Sequence, residues 1–217
     1  MKELHPFDCV KKTLPADVTL VAVSKTRTIE EMMSLYQAGQ RDFGENRVQE
    51  LMKKKDQMPK DVRWHLIGHL QSNKVKYLVP FITLIHSIDS EKLLSEVNQQ
   101  AKKQNRIIDC LWQVYVASEE TKHGLLPIEI EQLHTSDTLH KYPYIRICGI
   151  MAMGTLTAES KQISKEFAQA KKLFDMLALR SLQPHEMRIL SMGMSNDYPI
   201  AIEQGSTMVR IGSKLFE

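Results

Sequence analysis

The chain has 217 residues, of which 42% are hydrophobic and 25% are charged, as in a soluble globular protein with one large domain or two small ones. Its net charge is only +3 and its Lys and Arg alternate with Asp and Glu, which argues against nucleic acid or a membrane surface as partner. The three cysteines, Cys9, Cys110 and Cys148, form no C-x-x-C pair, which argues against a disulfide framework and a zinc site and favours the reducing cytoplasm.

Short apolar segments alternate with amphipathic segments along the first half of the chain. Residues 18–26 predict a strand buried on both faces, and Thr28 to Glu31 predicts a capping box for a helix that reaches Ala38. A helix is expected over about 47–58, and after Asp89 another carries Leu93, Val97 and Ala101 on one face. Strands two, three and four are predicted at 42–46, 63–68 and 84–89.

The second half of the chain repeats this alternation. Pro127 suits the first position of a helix, and a short helix is expected over 198–204. A long helix is predicted from the apolar stripe Ile163, Phe167, Ala170, Phe174 and Leu177. Strands five to eight are predicted at 109–116, 145–153, 187–194 and 206–213.

Eight strand–helix units predict an α/β fold, a single (β/α)8 TIM barrel over residues 1–217. Only four residues follow Ser213, which leaves no room for an eighth helix, so the segment before Val18 is expected to cover that gap. The first ten residues contain no signal-peptide pattern, and no segment approaches the ~20 apolar residues of a membrane span, so a cytoplasmic location is expected.

In such a barrel the active face is formed by the carboxyl ends of the strands, and Lys25 closes strand one. We expect partial desolvation to lower its pKa and make the neutral amine available as a nucleophile. A lysine that simply extends into solvent at the rim is the alternative.

The loops after strands seven and eight are the usual phosphate site of these barrels. Ser195, Asn196 and Asp197 are N-cap candidates for the helix that contains Pro199, and Gly212 with Ser213 adds close backbone approach and a hydroxyl donor. The alternative is that the glycines serve only tight turns.

Arg210 shares a side of its strand with Gly212, so its guanidinium could meet a ring nitrogen or an acid of a ligand. An ion pair with Glu45 or Asp197 is a comparable alternative. His65 and His69 lie in a strand without a third ligand nearby, so no metal site is expected. The run Lys53 to Lys55 is interpreted as the solvated end of a helix.

These features fall within six segments that keep their order and spacing over nearly the whole chain. They are VAVSKT (21–26), FGENRVQE (43–50), WHLIGHLQSNK (64–74), GIMAM (149–153), LSMGMSND (190–197) and GSTMVRIGS (205–213). Together they resemble the pyridoxal 5′-phosphate (PLP) homeostasis protein family, whose fold is like the N-terminal domain of alanine racemases.

The resemblance implies that PLP is the cofactor and that Lys25 forms a Schiff base with it. It implies that Ser195, Gly212 and Ser213 hold the phosphate, that Arg210 faces the pyridine nitrogen, and that Asn46 lies at the mouth of the site. It also implies a protein that binds, buffers and delivers PLP without substantial catalytic activity. We expect a monomer, with PLP-requiring apo-enzymes as partners.

Two other functions are weighed. A PLP-dependent amino-acid racemase needs a second base, usually a tyrosine, and of the six tyrosines only Tyr115 and Tyr198 are placed to serve. A sugar-phosphate barrel without PLP would use the same phosphate loops and leave Lys25 as a rim cation or as a Schiff-base lysine for a carbonyl substrate. The carrier function is preferred to both.

Overall fold

The computed structural model describes residues 5–117, 124–180 and 182–216, and its centre is a closed parallel barrel of eight strands in chain order. The last strand closes the barrel against the first, with Arg210 opposite Val21. The predicted (β/α)8 barrel is therefore confirmed. The strands are β1 (Thr19–Val23), β2 (Asp42–Glu45), β3 (Arg63–Leu66), β4 (Leu84–Ile88), β5 (Ile108–Val114), β6 (Ile145–Ala152), β7 (Ile189–Ser191) and β8 (Met208–Ile211).

Helices connect the strands around the outside of the barrel. Within the described ranges, no helix combines the length and the apolar character that crossing a membrane requires. The helices are α1 (Pro6–Thr13), α2 (Ile29–Gln37), α3 (Val48–Lys55), α4 (Val75–Leu78), α5 (Glu91–Lys103), α6 (Pro127–Leu133), α7 (Ser136–Leu139), α8 (Ser160–Ala178), α9 (Tyr198–Glu203) and α10 (Ser213–Phe216), with a 3-10 turn at Ser72–Lys74.

Local sequence signals account for several helix boundaries. The side chain of Thr28 accepts a hydrogen bond from the Glu31 N–H, and the Glu31 carboxylate accepts one from the Thr28 N–H, so the capping box before α2 is confirmed. Pro127 is the first residue of α6, as predicted. On α8, Leu173 is buried and Phe174 only half-buried, so the apolar stripe is shifted by one residue there.

The chain after β8 differs from the expectation. A one-turn helix, α10, begins at Ser213, because four residues suffice for a single turn. It packs against α1, where Phe7 and Val10 are buried together with Leu215 of α10. The two short helices share the position that an eighth full-length helix would occupy. The first four residues of the N-terminal segment lie outside the described residues.

Two apolar clusters make up the core. The larger one lies between the strands and the surrounding helices, as in other barrels of this architecture. The smaller one fills the barrel interior, because alternate residues of each strand point inward. Its members are Val21, Leu84, Leu111, Cys148, Met151 and Met208.

Candidate functional site

A cavity of about 760 Å³ opens at the carboxyl ends of the strands. Residues that follow β1, β2, β3, β6, β7 and β8 line it, so the loops of one barrel face meet there. The structure brings all six residues singled out in the sequence to this cavity, namely Lys25, Asn46, Ser195, Arg210, Gly212 and Ser213.

Lys25 lies in the turn after β1, two residues beyond the last strand residue, Val23. Its side chain is exposed, so the expected desolvation is wrong. The physical reason is that β1 ends at Val23, so the turn that follows places the Lys25 side chain at the mouth of the cavity. The next residue, Thr26, has a φ of +63°, a conformation that a β-branched residue adopts only under constraint.

A buried ion pair supports this turn from below. The ammonium of Lys54 donates to Oε1 of Glu45 at 2.7 Å and to the carbonyl of Ser24 at 2.6 Å. The Ser24 hydroxyl donates to the same carboxylate oxygen at 2.8 Å. The sequence predicted a solvated helix end for Lys53 to Lys55, and for Lys54 this prediction is wrong. It lies three residues after Leu51 on α3, and both face the barrel.

Asn46 extends the cavity from the end of β2. It lies beside Gly68, the second residue after β3, where a Cβ would come within 2.3 Å of the Asn46 carbonyl oxygen. Glycine at this position lets the two loops approach each other, so Asn46 can reach the mouth of the cavity.

The loops after β7 and β8 meet through a direct hydrogen bond. The N–H of Gly212 donates to the hydroxyl of Ser195 at 3.2 Å, and Ser213 begins α10 next to them. Of the three N-cap candidates, Asp197 is the one before α9, but its carboxylate accepts from the N–H of Met194 instead of capping the helix. Hydroxyl and backbone N–H donors thus converge on one side of the cavity.

Arg210 projects from β8 into the cavity and is buried. Its guanidinium donates to the carbonyl and hydroxyl of Ser191 at 2.7 and 2.6 Å, and to the carbonyl of Ala152 at 2.9 Å. Within the described residues no carboxylate lies at ion-pair distance, so the alternative pairing with Glu45 or Asp197 is wrong. Burial lowers the pKa of Arg210 to about 10, although Asp197 opposes this effect, and the group still carries its charge at neutral pH.

Two histidines lie buried beneath the cavity, His65 on β3 and His86 on β4. Sequence reasoning considered His65 only as a metal ligand and did not single out His86. Their ring nitrogens lie 2.9 Å apart, and His86 also contacts the Ser191 hydroxyl. A polar residue flanked by apolar ones in each of two neighbouring strands was the available signal. The described residues contain no group of three or more His, Cys, Asp or Glu side chains that could hold a metal ion.

All six tyrosines fall within the described residues, and none lines the cavity. Tyr115 comes just after the end of β5, and the hydroxyl of Tyr198 lies 3.1 Å from the Thr13 hydroxyl, away from Lys25. No phenol is therefore placed to act as a second base opposite the lysine.

The comparisons with known proteins agree with this architecture. The family model of the alanine racemase N-terminal domain matches residues 4–217. The pyridoxal phosphate homeostasis protein of Aquifex aeolicus is 38% identical over 91% of this chain and 85% of its own length. The protein of the same name from Schizosaccharomyces pombe is 40% identical over 92% of this chain and 84% of its own length.

Solved structures give the same picture. PipY of Synechococcus elongatus without PLP has a TM-score of 0.91 and 33% identity over 98% of both chains. PipY with PLP bound has a TM-score of 0.88, 32% identity and the same coverage. An alanine racemase of Clostridium difficile, at 16% identity and a TM-score of 0.80, shares the fold over 97% of this chain and 55% of its own. The chain thus belongs to the pyridoxal phosphate homeostasis protein family, within the wider family of the alanine racemase N-terminal domain.

Proposed function

We propose that this chain binds PLP through a Schiff base on Lys25 and acts in intracellular PLP homeostasis by binding, buffering and delivering the cofactor. The observation that carries the proposal is the meeting of an amine, a buried guanidinium and a set of hydroxyl and N–H donors in one cavity. The homeostasis proteins among the relatives and the PLP-bound structure of PipY support it.

The residues present fit PLP group by group. Lys25 supplies the amine for the aldehyde, and Ser195, Gly212 and Ser213 supply donors for the phosphate dianion. Arg210 supplies a charged donor for the pyridine nitrogen, and Asn46 contributes an amide at the mouth. When bound, PLP supplies an electrophilic carbon and a ring that withdraws electrons from it.

The charge on Arg210 favours storage over catalysis. A guanidinium with a pKa of about 10 can donate a hydrogen bond to the ring nitrogen but has no carboxylate-like tendency to keep that nitrogen protonated. An unprotonated ring is the weaker electron sink. The cavity also lacks a tyrosine, so a racemase of the alanine racemase type would have a base on one face only. The carrier function is therefore preferred.

The finer parts of the proposal concern location and partners. We infer a cytoplasmic monomer that passes PLP to apo-enzymes which require it, without nucleic acid or a membrane as partner. The exposure of Lys25 supports delivery, because water or a recipient's amine can reach the covalent linkage from the open mouth.

Visible absorbance of the purified protein after addition of PLP tests the proposal. The wild type should develop the yellow band of lysine-bound PLP, and Lys25→Ala should not. Lys53→Ala is the matched control, because Lys53 is exposed on α3 and does not line the cavity. A wild type that stays colourless would contradict the proposal and favour the sugar-phosphate barrel. Exchange of the α-proton of alanine in deuterium oxide would favour the racemase.

A further inference from the structure

A continuous line of buried polar side chains crosses the barrel interior beneath the cavity. It begins at Asp42 on β2, where Oδ1 lies 3.1 Å from Nε2 of His65. Nδ1 of His65 lies 2.9 Å from Nε2 of His86, and Nδ1 of His86 lies 3.1 Å from the Ser191 hydroxyl. The same hydroxyl accepts from Arg210 at 2.6 Å. All five residues are at least 90% buried.

The two ends of this line differ in what they can do. Arg210 carries only donors, whereas an ionised Asp42 carries only acceptors. Burial would raise the pKa of Asp42, but hydrogen bonds from Arg63 and His65 outweigh it and lower that pKa to about 2, so the carboxylate is ionised at neutral pH. The line of side chains therefore has a donor end in the cavity and an acceptor end at the opposite side of the barrel.

These ends set the direction of every bond between them when both imidazoles are neutral. His65 must use its Nε2–H for Asp42, which leaves Nδ1 free to accept from the Nε2–H of His86. Nδ1 of His86 then accepts the Ser191 proton, and the Ser191 oxygen keeps its lone pairs for Arg210. Burial keeps the pKa of His86 well below its usual value, and the charge of Arg210 adds to the effect, which agrees with a neutral His86 ring.

When all donors along a line of hydrogen bonds point the same way, the bonds polarise one another and each becomes stronger. The final acceptor of this line is Asp42, and its first acceptor is the Ser191 hydroxyl, which accepts from Arg210, a side chain whose three hydrogen bonds all go to uncharged oxygens. Asp42 thus forms the acceptor end of a line of hydrogen bonds that begins at a buried guanidinium which it does not touch. Arg63, which donates to both Asp42 oxygens, fixes the far end of the line.

We propose that Asp42, His65 and His86 are positioning residues for Arg210, which they hold through Ser191 in the place where it meets the cofactor ring. This inference rests on the proposed function, because it assigns Arg210 to the ring. It assigns the three residues no contact with the ligand. Their effect is on the orientation and charge environment of the guanidinium.

The structure offers a matched control at the same end of the barrel. Asp109 on β5 accepts from Arg146 at 2.7 Å and from Arg188 at 2.8 Å, and with Asp42 and His65 it lines a small cavity of about 240 Å³. Among the described residues it forms no hydrogen bond with either histidine. Asp109→Asn therefore removes a comparable carboxylate without touching the line.

The test is a PLP titration of the full chain, followed by visible absorbance, for the wild type, Asp42→Asn and Asp109→Asn. An asparagine offers one acceptor oxygen where Arg63 and His65 need at least two, and its NH₂ faces a donor. Asp42→Asn should therefore bind PLP roughly tenfold more weakly and shift the position of the band, the usual size of effect for a charged hydrogen bond. The affinity of Asp109→Asn for PLP should stay within about twofold of the wild-type value, as for a change outside the line.

A second measurement does not depend on cofactor binding or on the folding of a variant. Nitrogen-15 NMR of the wild type with labelled histidine should show His65 and His86 as neutral rings protonated at Nε2 and bare at Nδ1. A doubly protonated ring, or an Nδ1–H tautomer at either residue, would overturn the inference.

The outcomes separate the two proposals. If the wild type forms the PLP band but the two Asp→Asn variants bind equally well, the positioning inference is wrong and the proposed function stands. An equal loss in both variants has the same meaning, because it would reflect lost stability at that end of the barrel. If the wild type forms no band, both proposals fail together.

Discussion

The ammonium of Lys54 lies 2.7 Å from Oε1 of Glu45, in the contact between α3 and β2. Both side chains are buried, and the same ammonium holds the carbonyl of Ser24, the residue before Lys25. One ion pair therefore joins the helix, the strand and the turn that carries the lysine.

Replacement of Lys54 should be strongly destabilising. Lys54→Met leaves the Glu45 carboxylate buried without its counter-charge, so the free energy of unfolding should fall by about 3–5 kcal/mol. Urea denaturation measures this loss. Lys53→Met, at an exposed position, is the control and should change the free energy of unfolding by no more than about 0.5 kcal/mol. Adding Glu45→Leu should recover much of the loss, and a double variant as unstable as Lys54→Met would contradict this explanation.

Gly149 should not tolerate any side chain. A Cβ there would lie 1.8 Å from the Ile189 carbonyl oxygen, at the point where β6 has one residue more than β5. Gly149→Ala must shift β6 or β7, and we expect a loss of about 3 kcal/mol or more in urea denaturation. At Gly154 a Cβ would have its nearest neighbour at 3.4 Å, so Gly154→Ala should cost less than about 1 kcal/mol. Equal losses would show that the contact with Ile189 is not the cause.

His134 should make stability depend on pH. Burial, with the charges of His185 and Arg180, lowers the pKa of His134 from 6.5 to about 4, and its Nδ1 accepts from the Trp112 indole N–H. The unfolded chain binds a proton near pH 6.5 and the folded chain does so only near pH 4. The contribution of His134 to the free energy of unfolding is therefore fully present above pH 6.5, and it falls by up to about 3 kcal/mol as the pH decreases to 4.

His134→Gln keeps an acceptor for Trp112 and removes the titration. The difference between wild-type and variant unfolding free energies, measured from pH 7.5 to 4, isolates this group from His86 and His185, whose pKa values are also lowered by burial. A difference that does not change with pH would contradict the assignment.

A substitution at Thr26 that suits its backbone conformation should raise the free energy of unfolding. Its φ of +63° disfavours a β-branched residue, whereas Asn105, at a φ of +48°, is of a type that accepts this region. Thr26→Asn should raise the free energy of unfolding by about 1 kcal/mol, and Asn105→Thr should lower it by a similar amount. Thermal denaturation measures both, and shifts of the same sign would contradict the expectation.

Much of the fold followed from local patterns. Alternating apolar and amphipathic segments predicted eight strands, and the Thr28–Glu31 capping box and Pro127 placed two helix starts correctly. Strand ends were less accurate, with β7 reduced to Ile189–Ser191, because the ends of parallel strands are set by pairing with neighbours. The one-turn α10 was missed because its stability depends on packing against α1.

The candidate site was predicted to the extent that one barrel face collects the strand ends. That rule placed Lys25, Ser195 and Arg210 in one cavity. It could not reveal that Lys54 turns inward, because a helical lysine is equally compatible with solvent and with a buried carboxylate. Nor could it join His65 to His86, because that contact depends on strands brought side by side by the barrel.

The single donor direction that we propose for the line from Arg210 to Asp42 has a consequence for how this protein can evolve. A replacement that reverses one donor leaves two donors or two acceptors facing each other at the next position, so a single change is harmful where a paired change is tolerated. Substitutions along this line should therefore be strongly epistatic. Descendants that alter it are expected to do so at two strands at once or not at all.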